Sequence, residues 1–190
     1  MEKKVKEKFG LRTSTYYPIT AQPENAHPTY GEKIDMGCAV KAYMTTNFAE
    51  NSLYGDDVSV LDLRRFISGQ LDAETLLNDL EVESKIFGST YDAATGLVDN
   101  HDDTPKEGGY SYVQMLRTKT EIVYRAVFLY RVIPRLGNDN SDTNGSSLNF
   151  THNAITYTVM ADNTGAWRNR LDFKTLKEAT DFLESIAAGK

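Results

Sequence analysis

The chain has 190 residues, 40% of them hydrophobic and 25% charged, enough for one globular domain with a full core. Its 21 basic and 27 acidic side chains leave a net charge of −6, which disfavours tight nucleic-acid binding, because that needs clustered Lys and Arg to neutralise phosphates. Cys38 is the only cysteine, so no internal disulfide forms, and no apolar run approaches the roughly 18 residues of a membrane helix.

Residues 1–36 open on MEKKVKEKFG, which lacks the apolar core of a secretory signal, and they carry Pro18, Pro23 and Pro28. This pattern predicts a solvated, mobile arm with at most one short strand near Phe9–Tyr17. Met36–Thr46 reads as a strand that buries Cys38, in a protein made in a reducing cytoplasm. Asn47–Tyr54 and Val58–Phe66 are weaker strand candidates about the turn Gly55-Asp56-Asp57, so residues 47–57 read mainly as loop. Gly69–Leu77 is again strand-like. Asn78 and Glu81 have the spacing of a capping box and predict a helix over Asn78–Phe87, ended by a left-handed Gly88. An acidic loop, residues 89–109, follows.

Tyr110–Lys119 and Glu121–Pro134 read as paired strands joined by a tight turn. The second alternates Tyr124, Ala126, Phe128, Tyr130 and Val132 against Val123, Arg125, Val127, Leu129, Arg131 and Ile133, so both faces are largely apolar. It is longer than the about five or six residues of a typical strand. Arg125 and Arg131 interrupt its apolar face, as at a subunit or sheet junction. A loop over 135–147 leads to a strand over Leu148–Ala161. Thr175 and Glu178 then cap a last helix carrying Leu176, Ala179, Leu183 and Ile186 at helical spacing. The sum is a mainly β (α+β) fold, a sandwich or barrel covered by helix.

Little in the chain suggests chemistry. His27, His101 and His152 are scattered, without the spacing of a zinc site, and no nucleophile elbow, phosphate loop or dinucleotide turn is present. Asp99–Asp103 gathers hard oxygen ligands, and Asn140–Gly145 resembles the first half of a calcium loop. Asn140 stands where that loop needs Asp, however, and Thr151 where it needs a bidentate Glu, so both clusters read as hydrated loop tips. The sequons at Asn144 and Asn149 matter only in a eukaryotic secretory pathway. No catalytic residue, cofactor or metal is expected. Long strand edges and flexible segments are features of assembly.

Several short pieces in a fixed order carry a resemblance. They are Phe9-Gly10-Leu11, Tyr16-Tyr17-Pro18-Ile19-Thr20, Tyr54-Gly55-Asp56-Asp57, Gly69-Gln70-Leu71, Gly109-Tyr110-Ser111-Tyr112, Tyr124–Tyr130 and Gly165-Ala166-Trp167. Together they are similar to the major tail proteins of long-tailed, non-contractile bacteriophages, the subunits of the tail tube. The loop after Arg135 departs from the lysine-threonine pattern of many relatives.

The resemblance implies a single domain over 1–190 with the two-sheet β-fold of tail tubes, a flanking helix and a C-terminal helix. It implies six-fold rings that stack into a hollow tube built around a tape-measure protein and bounded by tail terminator and distal tail proteins. DNA passes through transiently, and the protein does not insert into membranes. It would reside in the virion tail, and in the host cytoplasm before assembly. The place of Glu50, Asp56 and Asp57 in the family's hairpin makes them candidates to line the lumen. Arg125, Arg131, Tyr16 and Tyr17 become candidate inter-subunit contacts, and residues 1–36 and 89–109 candidate ring-to-ring contacts. The alternatives are the inner tube of a bacteriocin or type VI-like secretion machine and a monomeric ligand-binding barrel of lipocalin type.

Overall fold

The computed structural model describes residues 6–55, 58–77, 79–136 and 153–189. In chain order its elements are β1 (Glu7–Ala21), β2 (Thr29–Tyr30), β3 (Ile34–Asp35), β4 (Ala39–Gly55) and β5 (Val58–Thr75). Helix α1 (Leu80–Phe87) and the short β6 (Thr90–Asp92) and β7 (Gly96–Val98) follow. Then come β8 (Gly108–Arg117), β9 (Ile122–Arg135), β10 (Asn153–Met160), β11 (Arg168–Phe173) and α2 (Leu176–Ala187). The chain is thus mainly β with a flanking and a C-terminal helix. Among the described residues no helix is long and apolar enough to cross a membrane.

Nine strands form one antiparallel sheet in the order β2-β1-β8-β9-β10-β5-β4, with β3 also on β1 and β11 also on β9. The strand that is apolar on both faces takes the centre. One edge of β9 is covered by β8, and the other is shared end to end by β11, opposite 124–129, and β10, opposite 131–135. Two shorter strands therefore account for its length within the chain. Val127, Leu129 and Val132 join an inner core with Tyr16, Tyr110 and Tyr157. Ala126, Phe128 and Tyr130 face the other way, onto Ala179 and Leu183 of α2. The sheet curls until β1 lies beside β4. β3 pairs with Thr15 and Tyr16, and Met36 N–H donates to the Ser14 carbonyl (2.9 Å) just before β4 begins.

Three sequence expectations need correction. The expected mobile arm is, over Glu7–Ala21, a 15-residue strand between β8 and the β2–β3 segments. Register shifts at Lys8/Gly10 and Arg12/Ser14 break its alternation, and at the second Thr13 takes a left-handed φ of 52°. Such bulges hide a strand from a period-two reading. The weaker candidates Asn47–Tyr54 and Val58–Phe66 are strands, and the loop expected over 47–57 is, as far as Gly55, part of their hairpin of 17- and 18-residue strands. Cys38 is exposed, because it lies in the bend before β4 and not within the strand.

Both helices obey their caps. The first starts one residue later than Asn78 predicts: Asp79 Oδ1 accepts from Glu81 N–H (2.9 Å). Gly88 ends it at φ 83°, its N–H donating to Ser84 O. Thr175 and Glu178 form the expected reciprocal box on α2 (3.2 and 3.1 Å). Residues 89–109, read as loop, contain the β6–β7 hairpin, and Gly108 and Gly109 already belong to β8.

Candidate assembly surfaces

The β4–β5 hairpin outruns the sheet that bears it. Pairing of β10 with β5 ends at Gly69, and beyond it residues 47–55 and 58–68 pair only with each other among the described residues. At about 3.3 Å per residue that ribbon extends roughly 35 Å. Its base is fixed by aromatic contacts. Phe66 stacks on Trp167 (centroids 4.3 Å, planes 6° apart), Phe48 meets Phe66 edge-on (5.8 Å), and the Arg64 guanidinium lies 4.2 Å over the Phe48 ring. Leu63 and Ile67 are about 60% exposed, and the outer edge of β4 has no partner strand among the described residues.

Glu50 sits on this hairpin, exposed, and its Oε1 is 2.9 Å from Arg64 Nε. It is one half of an ion pair and not a free carboxylate. Asp56 and Asp57 lie outside the described residues, as do the Asn140–Gly145 cluster, the two sequons and His152.

The four residues expected at inter-subunit contacts are engaged within the chain itself. Arg125 donates twice to Asp172 (2.6 and 3.0 Å), and Lys6 adds a third contact at 2.7 Å. Arg131 donates twice to Glu107 (2.8 and 2.9 Å), which also accepts from Gln22 (2.5 Å). Bidentate geometry makes these strong charge-assisted pairs. Arg125's hydrogen bonds outweigh burial and hold the Asp172 carboxyl at about 2; Arg131 holds Glu107 below its ordinary value in the same way. Tyr16 is fully buried and donates its hydroxyl to the Lys106 carbonyl; burial pushes its phenol pKa up. Tyr17 is buried beneath α2 against Phe128. Sequence alternation located the arginines but not carboxylates 24 and 47 residues away.

A second polar cluster fixes the β10–β11 turn. The buried Asp162 carboxylate accepts from Thr164 N–H (2.9 Å), Thr164 Oγ1 (2.7 Å) and Ala166 N–H (3.0 Å), and pairs with His27 Nδ1 (2.6 Å). Burial acts to raise its pKa, but the His27 and Thr164 hydrogen bonds prevail and lower it. His27 in turn stacks on Tyr130 at 4.4 Å. His101 lies on an exposed loop. Among the described residues no three His, Cys, Asp or Glu side chains gather to hold a metal.

An open groove of about 420 Å³ runs between β1 and α2, lined by Thr13, Thr15, Cys38 and Thr180 and crossed by the Lys33–Glu184 ion pair. Among the described residues no histidine lines it beside Cys38. In the inner core Tyr110 packs 4.8 Å from Tyr157 and Tyr157 6.0 Å from Tyr16.

Sequence reasoning missed β11 altogether. Its signal was a charged period of two, Arg168, Arg170 and Asp172 alternating with Asn169, Leu171 and Phe173. Trp167, at its entrance, holds the hairpin base. No family model matches the chain, and no curated protein sequence matches it.

Proposed function

We propose that the chain is a structural subunit of a bacteriophage tail tube, polymerising into stacked hexameric rings around a tape-measure protein and forming the conduit for DNA delivery. The observation that carries the reading is the β4–β5 hairpin. A two-stranded ribbon is marginal by itself in water, and a long unpaired edge is a template for another strand. A fold that extends such a ribbon roughly 35 Å beyond its sheet leaves it for a neighbour to cover. Repeated head-to-tail, such contacts close into a ring in the plane and stay open along the axis. The net charge of −6 suits a passage through which DNA slides without sticking. The subunit does no catalysis in this reading, and it is joined at the tube ends by terminator and distal tail proteins.

Negative-stain electron microscopy of the concentrated protein, alone and with its tape-measure protein, tests this. Six-fold rings or tubes are expected, as is the chain's presence in purified virions of its source phage. Its absence from those virions refutes the proposal.

A further inference from the structure

Three hydrogen-bond donors on one face of the sheet lack acceptors among the described residues. Arg168 and Arg170 are two positions apart on β11, so they point to the same side. Their cross-strand partners are Leu129 and Val127, which in turn face Tyr110 and Tyr112 across β9–β8. Arg168 is half-buried with its guanidinium 4.2 Å over the Trp167 ring. Burial and Arg170 both act against its charge. Tyr112 is 2% exposed, lies within electrostatic reach of both arginines, and its hydroxyl has no acceptor among the described residues. Neither arginine has a carboxylate within ion-pair distance among the described residues, since the nearby Asp172 is taken by Arg125 and Lys6. Among the described residues Lys6 and Arg125 thus take Asp172, and Arg168 and Arg170 have no carboxylate of their own, on a chain with a net charge of −6. Half-burying a guanidinium without a counter-ion is costly, and an arriving oxyanion would offset that cost.

We propose that Arg168, Arg170 and Tyr112 receive carboxylates from a second copy of this chain, presented by its Asp99–Asp103 loop. That loop carries the complementary excess. Among the described residues Asp99, Asp102 and Asp103 have no Lys or Arg partner; Asp99 accepts from Ser89 Oγ and Asp103 from the Asn100 N–H. Asp102 is 78% exposed, with His101 Nδ1 3.8 Å from its carboxylate. Arg168 and Arg170 leave the strand roughly 7 Å apart along its backbone, a spacing that carboxylates on neighbouring loop residues can span. Loop and strand are different surfaces of one chain, so the contact is head-to-tail and can propagate from copy to copy. The inference rests on the self-assembly reading and names its electrostatic contact.

Sedimentation velocity over a concentration series tests it with Arg170→Glu and Asp102→Arg. Both side chains are exposed, so both variants keep the wild-type melting temperature. Each is expected to weaken self-association roughly tenfold or more. An equimolar mixture of the two restores it, because Glu at 170 then meets Arg at 102 in alternate copies. Association left unchanged by both variants overturns the proposal and leaves the tube reading standing. A wild-type chain that stays monomeric at every concentration, and shows no rings by microscopy, overturns both. Titrating inorganic phosphate into isotope-labelled protein separates the remaining source. If amide shifts around Arg168–Arg170 vanish in Arg170→Glu while Asp102→Arg associates normally, the occupant is a free oxyanion and the second-copy contact is refuted.

Discussion

Asp172→Asn decides whether Arg125 is a structural partner inside the subunit or a contact held ready for a neighbour. The carboxylate accepts three hydrogen bonds, two from Arg125 and one from Lys6, and its carboxyl is held at about 2 against an ordinary 3.8. Each factor of ten in an ionisation equilibrium corresponds to about 1.4 kcal/mol. Holding the carboxylate charged over that interval therefore amounts to roughly 2 kcal/mol before solvent screening, and to about 1 kcal/mol once the partial exposure of both partners is allowed for. For a chain of this length the variant should melt about 3 °C lower at pH 7. The folded carboxyl titrates below the unfolded one, so its stabilisation is complete above about pH 4 and disappears as the pH falls from about 4 to about 2. Urea midpoints measured from pH 7 to pH 2 on dilute protein should separate wild type from variant at neutral pH and converge at the acid end. Equal midpoints at pH 7 would refute the reasoning, and with an assembly defect they would return Arg125 to the interface.

Three further substitutions probe other levels of the structure. A Cβ at Gly108 would enter the Tyr16 ring, so Gly108→Ala should cost about 3 kcal/mol in chemical denaturation, the range of an overpacked core. Trp167→Ala removes the stack on Phe66 and should loosen the hairpin base by about 2 kcal/mol, read as faster amide exchange at residues 47–51 and 63–68 with the β8–β9 core unchanged. Thr175→Ala deletes the reciprocal cap on α2 and should lower global stability by about 1 kcal/mol in a urea titration.

What was legible in the sequence follows from the range over which each signal acts. Thr175 and Glu178 announce their helix because a cap is settled within four residues. The Glu121–Pro134 alternation is legible because the middle of β9 is covered on both faces, one toward the aromatic core and one toward α2. By contrast, β1 is hidden by its bulges and by Lys and Arg side chains on its exposed face. Asn47–Phe66 reads as broken strands because a ribbon that leaves its sheet buries little, and burial is what writes a period into a sequence. The roles of Arg125 and Arg131 were illegible for another reason: an ion pair leaves no pattern until folding brings Asp172 and Glu107 opposite them.

Trp167 ties the β4–β5 hairpin to the proposed carboxylate site. Phe66 and the Arg168 guanidinium both lie within 4.3 Å of the indole centre, too close to share one face, so they take opposite sides of the ring. One side anchors the hairpin, and the other carries a cation that lacks a counter-ion among the described residues. The indole itself is held by the turn that Asp162 pins with three hydrogen bonds from Thr164 and Ala166. A carboxylate arriving at Arg168 stabilises the guanidinium in the position where it packs on the indole, and a fixed indole fixes Phe66. By linkage the reverse holds: covering the hairpin orders Trp167 and Arg168 and raises the affinity for that carboxylate by the same factor. Deleting the indole should therefore uncouple them, so that in a Trp167→Ala background Arg170→Glu no longer alters amide exchange in the hairpin, whereas with Trp167 present in the assembled protein it does.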